Sequence, residues 1–265
     1  MSRFDLHTHT KYCDGKDTPR DMIEGAIAMG LSAIGFTAHA YTDFDESYCM
    51  KKEDEKRYLA ELSALREEYR DKIGVYIGFE VDAFGKKPAG DYDYVIGSLH
   101  YVFANGVYYG VDESIDVTRR AIEEGFGGDA DAYAEAYYEA LPRVLLHDPA
   151  IIGHFDLLTK FNEREALVDT ASLRYIAAWQ RAADELLLAN IPFEINTGAI
   201  SRGYRTIPYP AGDIIRYLAE RGARFVLSGD AHAKESLCFA FDDVEKLLSE
   251  YGLVQGDDGY FKKCS

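Results

Sequence analysis

Residues 5–15 read "DLHTHTKYCDG", and the two histidines set one residue apart govern how the rest of the chain is read. In a β-strand alternate side chains point the same way, so His7 and His9 at a strand end can offer two imidazoles to one point in space. That suits a metal ion. Alone, the pair suits an ordinary surface strand equally well. Only seven histidines occur in 265 residues, so the positions of the other five decide between the two readings.

Working outward, "RFDLHT" is the first of seven strand-like segments. The others are "LSAIGFTAHA", "GVYIGFEVD", "DYDYVIGSLH", "AIIGHFD", "IPFEINT" and "ARFVLSGDAH". Helical patterns fall between most of them. Thr18 is placed as an N-cap, with Pro19 at the first helical position and Asp21 in the first turn. Met22, Ile23, Ala26 and Ile27 then form an apolar face, and Gly30 ends the helix. Further helices are expected over 51–72, 131–146 (interrupted by Pro142), 171–190, 211–221 and 242–251. Residues 101–130, rich in Gly, Tyr and Asp, read as an inserted loop, and "QGDDGYF" carries a turn signal. Strands alternating with helices imply parallel pairing through crossovers. The linker "AFGKKPAGDY" is too short for a crossover helix, so the repeat is irregular, and seven strands is one fewer than the usual barrel of eight. A doubly wound open sheet is the competing architecture. No linker, repeat or low-complexity tract divides the chain, which is read as a single domain, 1–265.

Polar side chains with metal affinity gather where these strands end: His7 and His9 with Asp14 just beyond, then His39, Glu80, His100, His154, and finally Asp230 and His232. In a parallel barrel all such ends share one face, where these folds keep their active sites. Six of the seven histidines sort there. The exception, His147, follows a helix, is expected at the opposite face, and is assigned no role. Nine candidate ligands exceed what one ion takes and suit two or three, with a carboxylate such as Glu80 shared. Mixed imidazole and carboxylate ligands fit Zn, Mn or Fe and argue against Ca.

The formal net charge is −17. With no basic cluster to offset it, this disfavours nucleic acid as a partner. A hydrophobic fraction of 47% allows a buried core, yet no run approaches the ~20 apolar residues of a membrane span. The start, polar and then strand-like, leaves no room for a signal peptide, so a cytoplasmic location is expected. Cys13, Cys49, Cys238 and Cys264 show no C-x-x-C spacing and are read as reduced thiols. No G-x-G-x-x-G follows a strand, which sets aside dinucleotide chemistry. Oligomeric state is not readable.

The ordered pieces "DLHTHTKYCDG", "TAHA", "FEVD", "GSLH", "GHFD" and "GDAH" resemble the PHP (polymerase and histidinol phosphatase) family. The resemblance implies a distorted (β/α)7 barrel with a trinuclear metal site. It places His7, His9, Glu80 and Asp230 on a first ion, with Glu80 bridging to a second on His100 and His154. A third would sit on Asp14, His39 and His232. Aspartate at position 14, where many members carry histidine, is similar to the histidinol-phosphatase branch. "GSLHYV", "HFDLLTKFN" and "EINTGAISRGYRTIPYP" resemble the same branch. This implies hydrolysis of a small phosphate monoester, L-histidinol phosphate, with Arg202, Arg205, Lys160 and Ser98 as substrate contacts. Glu80, Asp230 and His232 are the catalytic candidates, the last two as groups that could also protonate the leaving alkoxide. Asp112 and Glu113 could meet the cationic end of such a substrate, and Asp5, Asp82 or Asp156 could orient imidazoles. The alternatives are a broader phosphatase acting on sugar phosphates or nucleotides, and a metal-stabilised binding module without turnover.

Overall fold

The computed structural model describes residues 3–263, so the expectation for Cys264 lies outside the described residues. The strands are β1 (Phe4–Asp5), β2 (Ala33–His39), β3 (Gly74–Asp82), β4 (Tyr94–Ser98), β5 (Tyr101–Ala104), β6 (Val107–Gly110), β7 (Ile151–Ile152), β8 (Phe193–Asn196), β9 (Phe225–Ser228), β10 (Leu253–Gln255) and β11 (Phe261–Lys263). The helices are α1 (Pro19–Ala28), α2 (Glu55–Tyr69), α3 (Ile115–Arg120), α4 (Ala130–Ala140), α5 (Leu173–Leu187), α6 (Gly198–Ser201), α7 (Gly212–Glu220) and α8 (Phe241–Glu250). No described helix is long and apolar enough to cross a membrane.

Seven strands run parallel in the order β1-β2-β3-β4-β7-β8-β9. The sheet curls until its first and last parallel strands meet just beyond their ends. There Thr8 bridges Ala231 in parallel, with His9 N donating to Ala231 O (2.8 Å) and Ala231 N to His7 O (3.0 Å). This is the expected distorted seven-stranded barrel, not the open sheet. Distortion comes from the two-residue strands β1 and β7 and from the helix-free connection between β3 and β4.

Local chemistry explains the elements. Thr18 and Asp21 form a reciprocal capping box at the start of α1, with Pro19 in its first turn. α4 gives way at Leu141 to 3₁₀ turns, because Pro142 cannot continue the α ladder. The turn signal in the tail lies between β10 and β11, an antiparallel pair laid against the start of β9 at Phe261 and Phe225.

Residues 101–130 are not a loop. β5 and β6 form a hairpin turning at Asn105 and Gly106, both left-handed (φ 52° and 82°). Asn-Gly supplies that turn most readily, because both central residues need positive φ. Ser114 then caps α3, which continues into a π-turn over Ala121–Gly125.

The main core lies between barrel and helices, where Phe36, Phe79, Tyr58, Tyr137 and Phe193 are fully buried. A second cluster, Ile96, Ile151 and Val226 with Phe4, Tyr94 and Tyr260 against it, plugs the barrel near the strands' N-terminal ends. Tyr94 has room because Gly35 and Gly78 line its path. A Cβ at Gly35 would come within 2.2 Å of its hydroxyl, and one at Gly78 within 2.9 Å of its ring. The hydroxyl donates to Leu6 O (2.6 Å).

Candidate metal centre

Six of the seven parallel strands deliver polar residues at or just beyond their C-terminal ends, and closure of the barrel brings all nine predicted side chains together. Glu80, buried at the end of β3, is the hub. Its Oε2 lies 3.2 Å from His7 Nε2, 3.5 Å from His9 Nε2 and 2.9 Å from His39 Nδ1. Its Oε1 lies 2.9 Å from His154 Nε2 and 3.4 Å from His100 Nε2. On the seam side, Asp230 Oδ1 is 3.2 Å from His9 Nε2 and 3.5 Å from His232 Nδ1. Asp14 Oδ2 is 3.0 Å from His232 Nε2, and its Oδ1 is 3.7 Å from His39 Nε2.

Three sets have donor atoms mutually within 4.8 Å: His9–Asp14–His39–His232, His7–His9–Asp230 and His39–Glu80–His100. His9 and His39 each serve two sets, so the boundaries between sets are less sharp than the family pattern implies.

These residues fit metal ions on two observations. His7 Nε2 and His9 Nε2 are buried, have no hydrogen-bond partner, and face Glu80 and Asp230. Buried donors without partners are costly unless something else satisfies them. The charge balance points the same way. Burial alone would raise the Glu80 carboxyl, but His7, His39 and His100 outweigh it and hold Glu80 well below the usual carboxylate range. Asp230 is likewise held down against burial by Arg202 and His7. Burial lowers His7 and His100, yet Glu194 and Glu80 around the first, and Glu80 and Asp82 around the second, draw both well above the ordinary imidazole value. His9, buried beside His232 and His39, falls to about 3. Carboxylates exceed fixed cations here, and that excess favours bound positive charge.

Among the predicted substrate contacts, Arg202 reaches the pocket. It follows α6 and donates through Nη2 to Asp230 Oδ2 (3.0 Å) and through Nη1 to Asp230 O (3.1 Å), with His232 Nδ1 2.9 Å from Nη1. Gly198 permits the approach, since a Cβ there would stand 2.6 Å from Asp230 Oδ2. Lys160 lines the pocket but is tied to Asp112, donating to its backbone O (2.8 Å) and Oδ2 (3.1 Å).

Two expectations are corrected. Arg205 is buried behind the wall, donating to Thr159 Oγ1 (2.8 Å) and pairing with Asp156 (3.4 Å), its guanidinium over Tyr209. Ser98 is fully buried inside the barrel, so close to Gly153 that a Cβ there would lie 2.3 Å from its Oγ, and it lines no part of the pocket.

The three acids near ligands divide. Asp82 backs His100, accepting from its N (2.7 Å) and lying 3.3 Å from its Nδ1. Asp5 instead ties the seam, accepting from Gly229 N and Cys238 N, and Asp156 holds Arg205 and Ala211 N. His147 is not at the far end of the barrel. It is buried against the backbone of Asp82 and Ala83, outside the pocket.

Two acids escape the sequence reading. Glu194, midway along β8, is fully buried behind His7, whose Nδ1 is 2.5 Å from its Oε1. Asp45 lines the cavity near Tyr48 and Tyr101, accepting from Tyr101 Oη (2.8 Å) and Ser47 N (2.9 Å). The cavity between these walls has a volume of about 290 Å³.

Comparison with known proteins agrees with this architecture. The family model described as "PHP domain" matches residues 5–198. A Deinococcus radiodurans protein named "Probable histidinol-phosphatase" is 32% identical over 259 residues, covering 94% of this chain and 93% of that protein. The Bacillus subtilis "Histidinol-phosphatase" is 24% identical, covering 91% and 98%. A solved chain from Listeria monocytogenes superposes with a TM-score of 0.79 at 21% identity, covering 91% of this chain and 99% of its own. The histidinol phosphate phosphatase of Lactococcus lactis, solved with zinc, L-histidinol and phosphate, gives 0.67 at 18% identity, covering 95% and 94%. With a family match over most of its length and candidate ligands ordered at its strand ends, the chain belongs to the PHP domain family.

Proposed function

We propose that this protein is a metal-dependent phosphoric monoester hydrolase whose substrate is L-histidinol phosphate, cleaved to L-histidinol and phosphate. The observation that carries the reading is one cavity whose wall joins two unlike kinds of group. Seven of the nine candidate ligands and Arg202 line it, with His7 and His9 buried behind them. Asp45, Tyr48 and Tyr101 line it too, Tyr48 packing edge-on against His39. The relatives named histidinol-phosphatase, matched over nearly the whole chain, support the same substrate.

His7, His9, Asp14, His39, Glu80, His100, His154, Asp230 and His232 would hold two or three divalent transition ions. When bound, such ions supply Lewis-acid charge and activate water for in-line attack at phosphorus. The chain's own groups do the rest. Arg202, whose planar fork matches phosphate oxygens, neutralises the phosphoryl group as charge shifts onto it. Asp230 is anionic and engaged by Arg202 and His9. His232 turns Nδ1 to Arg202 Nη1 (2.9 Å) and Nε2 to Asp14 Oδ2 (3.0 Å), so both ring nitrogens are engaged and its part is that of a ligand. Lys160 lines the same cavity, paired with Asp112 as Arg202 is with Asp230, and would add a second cation for the phosphoryl oxygens. Asp45 has no Lys or Arg partner among the described residues, and it faces the cavity as an anion able to accept the ammonium or imidazolium of the substrate.

Kinetics on histidinol phosphate, sugar phosphates and nucleotides test the assignment. A kcat/KM for histidinol phosphate well above the others is expected. Equal values would leave a broad-specificity phosphatase, and no turnover on any would leave a binding module.

A further inference from the structure

Glu194 takes no part in the chemistry described above, yet it is the most completely satisfied carboxylate near the centre. Its Oε1 lies 2.5 Å from His7 Nδ1 and accepts from Ser228 Oγ at 2.6 Å. Its Oε2 accepts from His154 N at 2.8 Å and from Asn196 Nδ2 at 3.0 Å. Four donors, two on each oxygen, fix the group in both position and rotation. No Lys or Arg pairs with it among the described residues, although the side chain is fully buried.

We infer that Glu194 is a positioning residue for the metal centre: it fixes the proton of His7 on Nδ1, and it holds the His7 ring and the His154 backbone in one frame. An ionised carboxylate can only accept, so the nitrogen facing it must donate. In the neutral ring, the form a metal ion takes, the lone pair is then left on Nε2, the buried and unpartnered atom that faces Glu80 and Asp230. A carboxylate behind an imidazole also raises its basicity toward a metal. Because it touches the ring of His7 and the backbone of His154, a single change should disturb two candidate ligands at once. The inference rests on the reading of the pocket as a metal centre.

Glu194→Gln sharpens this beyond a generic loss of structure. The amide has almost the same shape but offers acceptors on one side only. The backbone N–H of His154 cannot reverse, so the amide oxygen must face it. The amide NH₂ then points at His7 and pushes the proton from Nδ1 to Nε2, where it blocks ligation.

The experiment uses the full chain, with zinc as probe. Zinc affinity is measured by chelator competition for wild type and Glu194→Gln, and imidazole tautomers are read from long-range ¹⁵N–¹H correlation spectra. In zinc-loaded wild type, His7 is expected to carry its proton on Nδ1. In the variant, zinc affinity should fall about 10- to 100-fold, and in that folded variant the Nδ1–H signal should be lost. Unchanged affinity with an unchanged tautomer would overturn the proposal and leave the metal centre standing. A wild type that takes up no zinc would overturn both. Should Glu194→Gln not fold, the wild-type spectrum still decides, since a His7 proton on Nε2 contradicts the assignment.

Discussion

Near the N-terminal ends of its strands the barrel is filled by Ile96, Ile151 and Val226. Two residues further stand Ser98, Gly153 and Ser228, and two further again, beyond the ends of β4 and β9, stand His100 and Asp230. On β4 and β9, period-two alternation thus builds three layers: an apolar plug, a collar of small residues, and a ring of candidate ligands. The contrast between the lowest and highest layers separates folding from chemistry. The plug keeps water from the underside of the charges, where low polarity strengthens every electrostatic contact. The ring gathers imidazoles and carboxylates and contributes little apolar burial.

Several substitutions probe how cleanly these roles separate. The largest effect is expected from Glu80→Ala, which removes the group that five imidazoles share. Turnover should vanish and metal content, by elemental analysis, should fall, while the far-ultraviolet circular dichroism stays native. Retained turnover would remove Glu80 as the shared ligand. Next, Arg205→Ala strands the buried Asp156 and should cost about 3–5 kcal/mol in urea unfolding, with KM unchanged; a rise in KM would return Arg205 to the substrate. Ile96→Ala, in the plug, should cost about 2–5 kcal/mol and leave metal content per folded molecule as in wild type. A loss of metal there would show that plug and ring are one unit.

Arg202→Ala should raise KM for the phosphate ester roughly tenfold or more, the scale of a lost hydrogen bond to a charged group. An unaltered KM would count against phosphate binding at that position. The smallest effect concerns the histidine outside the ring. Burial lowers the His147 imidazole below its ordinary value of 6.5. The unfolded chain therefore takes up that proton first. The stability tied to the neutral ring is present above about 6.5 and is lost as pH falls from there through the folded value. His147→Gln removes this dependence, so the wild-type advantage in unfolding free energy over the variant should shrink on acidification. A constant difference would refute the shift.

The ring was legible in sequence because its members are chemically conspicuous and each closes an apolar strand. The collar was not, since Ser98, Gly153 and Ser228 are unremarkable residue types whose meaning lies in the space they leave. Glu194 did leave a trace: an acid within the apolar "IPFEINT", sharing parity with Asn196. The difference between Arg202 and Arg205 could not be read at all. Both lie just beyond the one-turn helix α6, and only the turn through Gly203 sends one toward Asp230 and the other toward Asp156. For the hairpin at Asn105 and Gly106 the turn signal was present in the residues, masked by the Gly- and Tyr-rich composition around it.

The meeting of Thr8 with Ala231 has a consequence for biosynthesis. His7 and His9 leave the ribosome more than two hundred residues before Asp230 and His232, and the first pair has no opposite wall until the second arrives. A growing chain therefore cannot assemble the complete pocket, and full loading waits for the last parallel strand. Once seated, ions gripped from both sides of that junction would act as a clasp on it. Chelation should then loosen the two extremities of the polypeptide before the middle, an order that hydrogen exchange can record.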